Sequence, residues 1–125
     1  MIAGQGPFLT TKVFLPQLRQ SKKGAIANIS SNAGSISDNG SGGNLAYRVA
    51  KAALNMLSVN TAHELKPENI ACIALHPGWV KTKMSGYTGY MGPEEAVTRM
   101  LEVLDGIDIS KTGRFYHRDG HELAW

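Results

Sequence analysis

A serine, a tyrosine and a lysine follow one another along this chain at positions that suit proton transfer. Ser31 ends the apolar run A-I-A-N-I-S-S (25 to 31), and Tyr47 and Lys51 lie four residues apart in the segment that follows. In a helix, residues i and i+4 share one face. A lysine cation beside a tyrosine favours the phenolate and lowers the tyrosine pKa, which is about 10 in the free side chain. We therefore expect Tyr47 and Lys51 to form a general acid or base, with a serine hydroxyl opposite that holds a carbonyl or alcohol oxygen.

Two helices and a strand must position these groups. Residues 7 to 20 carry apolar side chains near helical spacing, although Pro16 should disturb or kink that helix and Gly24 should end the segment. Residues 25 to 31 predict a short, mostly buried strand. After a loop rich in glycine, serine and asparagine, apolar residues recur at three- and four-residue steps over 44 to 65, which predicts a long helix.

The rest of the chain continues the alternation of helix and strand. Asn44 is a plausible N-cap of the long helix, and Pro67 should stop it. Residues 70 to 75 predict a second buried strand, a third helix should start at Pro93, and R-F-Y-H (114 to 117) predicts a last short strand. Helices that alternate with strands apolar on both faces indicate an α/β fold with a parallel sheet covered on each side.

Composition limits the classes of function. The chain has 125 residues, 42% of them hydrophobic, and a formal net charge of +3, which suits one soluble domain. The basic cluster of Arg19, Lys22 and Lys23 lies at a predicted helix end and is too small for a nucleic-acid surface. The longest apolar run, 70 to 75, is too short for a membrane span, and we see no secretory signal. With a single cysteine, Cys72, in that run, we expect a buried thiol and a cytoplasmic protein.

Two further sites have competing interpretations. His117 and His121 have the spacing of a metal-binding pair on a helix, but the D-G between them indicates a turn and two surface histidines. We therefore expect no metal. Trp79 lines a substrate pocket or caps the core.

The motifs taken together resemble the short-chain dehydrogenase/reductase family, and within it the C-factor-like carbonyl reductases. The segments that carry the resemblance are G-P-F-L-T-T-K-V-F-L-P, A-I-A-N-I-S-S, A-Y-R-V-A-K-A-A-L-N, L-H-P-G-W-V-K-T and F-Y-H-R-D-G-H-E-L, which span nearly all of the chain. The resemblance implies a Rossmann-type, three-layer αβα fold with a doubly wound parallel sheet. It also implies reduction of a small carbonyl compound, or oxidation of an alcohol, by hydride transfer with NAD or NADP, with a slight preference for NADP.

The resemblance assigns roles to individual residues. Tyr47 is the catalytic acid/base, Lys51 lowers its pKa and holds the nicotinamide ribose, and Ser31 positions the substrate oxygen. The nicotinamide end of the cofactor is bordered by Pro77, Gly78, Val80 and Thr82.

The serine departs from the family spacing, which is about a dozen residues before the tyrosine. Ser31 lies sixteen residues before Tyr47, and Ser35 lies twelve before it. We favour Ser31 because it ends the strand in the second-serine position that the family uses, and the stretch 38 to 43 can absorb an insertion. Ser35 is the alternative.

The beginning of the chain departs further. The family's asparagine falls on Ala3, and no G-x-G-x-x-G sequence is present to hold a pyrophosphate. We therefore interpret residues 1 to 125 as one partial domain, the C-terminal half of a reductase, as a truncated gene, an alternative start or a wrong gene model would produce. NAD(P) should bind such a chain weakly or not at all.

A different class of function is a non-catalytic interaction module. In the family, the helices matching 7 to 20 and 44 to 65 commonly build subunit contacts. The chain would then form a homo-oligomer or pair with a full-length relative. A third possibility is a fragment that does not fold stably by itself.

Overall fold

The computed structural model describes residues 4–125, so Ala3 lies outside the described part. Within it, three strands form one sheet in the order β1-β2-β3, and both pairings are parallel. The predicted alternation of helix and strand and the parallel α/β fold are confirmed. In chain order the helices and strands are α1 (Gln5–Gln20), β1 (Gly24–Ile29), α2 (Leu45–Leu65), β2 (Ile70–His76), α3 (Pro93–Asp105) and β3 (Phe115–His117).

Strand β2 is the centre of the sheet because it pairs on both sides. Its partners run from Gly24 opposite Ile70 to Ile29 opposite Leu75 on one side, and His76 pairs with His117 on the other. All of β2 except its last residue is buried. Such a continuous apolar run is typical of a parallel strand covered on both faces.

The main apolar cluster lies between the sheet and α3. Ile73, Leu75 and Tyr116 contribute from the strands, and Val103 and Leu104 of α3 pack against them. The opposite face of the sheet is covered by α2, which completes the three-layer arrangement. Cys72 is buried in β2, and burial raises the pKa of its thiol to about 12. The prediction of a buried thiol is confirmed.

The helix α1 runs through Pro16 and ends at Gln20, as predicted, and the proline removes one backbone hydrogen bond from it. Two predictions about the residues that follow are wrong. Gly24 begins β1 instead of ending the helical segment, and β1 is only partly buried. The reason is that β1 pairs only with β2 among the described strands, so Ala25 and Ile29 are exposed.

The bounds of α2 agree with the prediction, but its N-cap differs from it. Asn44 occupies the N-cap position, but it has a left-handed backbone with φ +46° and its side chain makes no capping hydrogen bond. Gly42 and Gly43, just before it, also have positive φ, so the loop enters the helix through three consecutive left-handed residues. At the other end the helix stops at Leu65, and Pro67 lies in the 3₁₀ turn that follows.

No helix in residues 4–125 combines the length and the apolar character that crossing a membrane requires.

Candidate active site

A buried row of polar side chains joins β1 to α2 below the site. The Asn28 side-chain amide donates a hydrogen bond to Ser58 Oγ at 2.9 Å, and the Ser30 hydroxyl donates to Asn55 Oδ1. All four side chains are buried. Because each donor faces one acceptor across the interface, these bonds specify where α2 lies along β1. We call this set the β1–α2 seam.

Ser31 lies just past the end of β1 and caps a 3₁₀ turn, Asn32–Gly34. Its Oγ accepts a hydrogen bond from the Ala33 backbone N–H at 3.2 Å, while the nearest acceptor for its own proton, Asn32 Oδ1, lies 3.4 Å away. The hydroxyl is thus oriented by the backbone, and its own proton makes only the long contact with Asn32.

Ser35, the alternative serine, has a similar arrangement. Its Oγ accepts from the Asp38 backbone N–H at 3.1 Å and lies 3.4 Å from the Ser37 hydroxyl. Both Ser31 and Ser35 are buried. Their hydrogen bonds therefore do not distinguish them, and the choice of Ser31 over Ser35 stays a prediction.

The 3₁₀ turn packs directly on the backbone of α2. A Cβ atom placed on Gly34 would lie 2.7 Å from the carbonyl carbon of Lys51 and 2.9 Å from its Cβ. Real Cβ atoms do not approach that closely, so only glycine allows this contact. The turn that carries Ser31 is thereby held against the helix turn that carries Lys51.

The structure brings Tyr47 and Lys51 together on one face of α2. The Lys51 ammonium lies 5.8 Å from the centre of the Tyr47 ring, within the range of a cation–π contact. It also donates a hydrogen bond to the backbone carbonyl of Ile29 at 2.9 Å. Burial lowers the pKa of Lys51. The lysine therefore connects the tyrosine to the end of β1, two residues before Ser31.

The predicted cofactor-binding residues lie in the loop after β2. Pro77 and Gly78 follow His76 directly, and Gly78 has a left-handed backbone with φ +74°. Val80 forms an isolated parallel bridge with Met91, and the Thr82 backbone N–H donates to Ser85 Oγ at 3.0 Å. The carboxyl ends of parallel strands meet at one edge of a sheet, so the Pro77–Gly78 turn shares that edge with Ser31.

Trp79 lies in the same loop and does not cap the core. It is 50% exposed, and its indole N–H donates to Thr88 Oγ1 at 3.2 Å. Its role in a substrate pocket stays a prediction.

Three histidines cluster at the carboxyl ends of β2 and β3. The rings of His76 and His117 lie 5.4 Å apart edge to face, and His117 stacks on His121 at 4.6 Å. Burial lowers the pKa of His76 to about 4 and also lowers that of His117. The prediction of two surface histidines is wrong for His117, because β3 places it beside His76. Within residues 4–125, neither these histidines nor any other set of three or more His, Cys, Asp and Glu side chains is placed so that it could hold a metal ion.

Arg48 holds the loop before α2, a contact that the sequence motifs did not predict. Its Nε donates to the backbone carbonyls of Gly42 and Gly43, both at 3.1 Å, and its Nη2 donates to Ser41 Oγ at 3.2 Å. It therefore ties the glycine-rich loop to the first turn of α2, next to Tyr47. The one sequence signal for this contact is the position of Arg48 inside Y-R-V-A-K, shortly after Gly42 and Gly43.

Comparison with known proteins covers nearly the whole chain. The family model described as short chain dehydrogenase matches residues 2–91. The C-signal protein of Myxococcus xanthus is 40% identical over 120 residues, which are 96% of this chain and 72% of that protein. A 1-hydroxy-2-glutathionyl-2-methyl-3-butene dehydrogenase of Rhodococcus sp. strain AD45 is 36% identical and is covered over 54% of its length.

Solved structures give the same result. The carbonyl reductase Sniffer of D. melanogaster superposes with a TM-score of 0.91 at 34% identity, over 98% of this chain and 54% of that one. An NADPH-bound carbonyl reductase from chicken fatty liver has a TM-score of 0.85 at 40% identity, over 95% of this chain and 52% of that one. The chain thus spans about half the length of both solved neighbours.

The contact between Gly34 and α2 leads to a stability prediction. Gly34→Ala should lower the free energy of unfolding by about 1–3 kcal/mol, because the added methyl group forces the 3₁₀ turn away from Lys51. Gly40→Ala is the matched control, since a Cβ at Gly40 meets no atom within 4 Å, and it should change the value by less than about 0.5 kcal/mol. Urea denaturation followed by circular dichroism measures both. Equal effects of the two substitutions would contradict the close contact.

Proposed function

The chain belongs to the short chain dehydrogenase family, and from this membership we propose that it reduces a small carbonyl compound with a nicotinamide cofactor. The observation that carries the proposal is the position of Lys51, which contacts both the Tyr47 ring and the backbone at the end of β1. The names of two solved neighbours, both carbonyl reductases and one described as NADPH-bound, support a carbonyl substrate and NADP.

The side chains at this edge of the sheet fit the nicotinamide riboside end of such a cofactor. Lys51 and Tyr47 offer an ammonium and a hydroxyl to the ribose hydroxyls. The backbone of the Pro77–Gly78 turn would border the flat nicotinamide ring, and Val80 and Thr82 continue that border. The sequence has no G-x-G-x-x-G turn for the pyrophosphate, so we expect weak binding of the phosphates.

The reaction would proceed through the three residues in distinct roles. The cofactor, when bound, supplies a hydride to the carbonyl carbon. The Ser31 hydroxyl, oriented by the Ala33 N–H, donates a hydrogen bond to the carbonyl oxygen. Tyr47 gives its phenolic proton to that oxygen as negative charge develops there. Lys51 holds its positive charge beside the Tyr47 ring, where negative charge develops as the proton leaves.

Tyr47→Phe tests the proton donor. The substitution should lower the rate of NADPH-dependent aldehyde reduction by at least about 100-fold, because the phenylalanine ring has no proton to give. Tyr116→Phe is the control, since Tyr116 belongs to the core on the α3 face, and it should retain activity. NADPH oxidation over a panel of small aldehydes measures the rate, and a parallel titration gives the affinity. Activity that survives Tyr47→Phe would refute this role, and micromolar NADPH binding would refute the expected weak binding.

The choice of serine is tested separately. Ser31→Ala should lower kcat by about 10- to 100-fold because the substrate oxygen loses a donor, whereas Ser35→Ala should retain most of the activity. Both serines are buried and accept one backbone N–H, so the two variants have similar structural costs. The same kinetic assay compares them. Near-full activity in Ser31→Ala with a loss in Ser35→Ala would move the role to Ser35.

A second candidate function is pairing with a full-length relative. One observation favours it: α1 has no buried residue, although it carries a row of large apolar side chains. Those side chains, which are 48–65% exposed, are Phe8, Leu9, Val13 and Phe14. A cleft of about 550 Å³ lies between α1 and β1. Such a surface is an interaction site or an aggregation hazard.

Co-purification with an intact carbonyl reductase of the family tests this candidate. The chain should be retained on the immobilised reductase without adding turnover, and Phe14→Glu should weaken retention at least about tenfold because it places a charge on the apolar face. Met84→Glu, at an exposed methionine in the loop after β2, is the control and should leave retention unchanged. A chain that passes the column unretained would exclude this pairing.

A further inference from the structure

We propose that Arg118 is a positioning residue that holds the Pro77–Gly78 turn in the conformation that borders the cofactor, an inference that rests on the proposed function. Arg118 directly follows β3. Its side chain is only 7% exposed, whereas three other arginines in ion pairs, Arg19, Arg99 and Arg114, are 43–52% exposed. Removing a guanidinium from water is costly unless specific contacts compensate. The contacts of Arg118 therefore indicate what its burial achieves.

Arg118 holds two successive carbonyl groups at the end of β2. Its backbone N–H donates to the His76 carbonyl at 2.9 Å, and its Nη1 donates to the Pro77 carbonyl at 2.6 Å. The first bond extends the pairing of β2 and β3 by one residue. The second fixes the peptide group between Pro77 and Gly78, which is the peptide that sets the direction of the turn.

The guanidinium also fills the space where a side chain on Gly78 would lie. A Cβ atom at Gly78 would be 1.5 Å from Arg118 Nη1 and 2.5 Å from its Cζ. The planar group thus packs directly against the Gly78 backbone, whose φ of +74° already favours glycine. The turn is supported by this packing in addition to the hydrogen bond.

Asp119 connects Arg118 to α3. Its carboxylate lies 3.7 Å from Arg118 Nε and accepts a hydrogen bond from Arg99 Nη1 at 3.0 Å. Arg99 in turn pairs with Glu95, one helical turn earlier in α3, at 2.9 Å. The support of the turn is therefore anchored in a helix and does not depend on the loop alone.

The contacts of Arg118 reach the Pro77–Gly78 turn and not the residues proposed for proton transfer. Its side-chain hydrogen bond goes to Pro77, and its backbone bond goes to His76, so it reaches the site through the turn and not through Tyr47 or Ser31. Loosening the turn should weaken cofactor binding while leaving proton transfer intact. A residue with a merely structural role would instead lower stability without this selectivity.

The test compares Arg118→Met and Arg118→Lys with Arg114→Met, at an exposed arginine paired with Glu122. Arg118→Met should raise the apparent KM for NADPH about tenfold with kcat changed less than about twofold, and Arg118→Lys should recover part of the loss by donating to Pro77. Amide hydrogen exchange at residues 78–80 should rise at least about tenfold in Arg118→Met. Arg114→Met should change none of these quantities.

Each outcome bears on one proposal. Unchanged KM and unchanged exchange in folded Arg118→Met or Arg118→Lys would overturn the role of Arg118. A fall in kcat at constant KM would also overturn it, because the residue would then act on the chemistry. If the unsubstituted chain neither binds nor oxidises NADPH, the proposed function fails, and the exchange at Gly78 and Trp79 alone decides whether Arg118 holds the turn.

Discussion

The position of α2 over β1 is the constraint on which the rest of the site depends. The β1–α2 seam fixes it with two buried side-chain pairs, Asn28 with Ser58 and Ser30 with Asn55. A purely apolar interface tolerates small shifts of a helix, whereas a buried donor that loses its acceptor costs about 1–3 kcal/mol. One turn nearer the site, the Lys51 ammonium bonds to the Ile29 carbonyl and continues the same alignment. The position of Tyr47 relative to β1 follows as a consequence, since Tyr47 lies one turn before Lys51 in the same helix.

Local patterns in the sequence were enough to predict the order of the elements and the approach of Tyr47 to Lys51. The start of α3 at Pro93 and the short strand β3 followed from proline tolerance at a first helical turn and from a brief apolar run. The i, i+4 geometry holds in any α-helix, so the cation–π contact between Lys51 and Tyr47 required no knowledge of the fold.

Features that depend on what faces a residue across the fold could not be predicted in this way. Asn28 sits inside an apolar strand, and its hydrogen bond to Ser58 forms only because α2 crosses above it. Gly34 looked like one loop glycine among several, yet it is the one that touches the backbone of Lys51. The exposure of β1 was missed because an apolar run does not reveal whether both edges of a strand are paired. The burial of Arg118 is also invisible in the sequence, because it arises from β3 lying next to the loop after β2.

The double constraint on Gly78 has a consequence for how this loop can change over evolutionary time. The backbone angle favours glycine there, and the guanidinium of Arg118 excludes even a methyl group. Shortening residue 118 would free the volume but leave the left-handed angle, and relaxing the angle would leave the steric clash. Neither change alone opens position 78, so the two sites show epistasis. A lineage that replaces the arginine must pass through a loosened loop before a new side chain can be accommodated, which makes the pair resistant to stepwise drift.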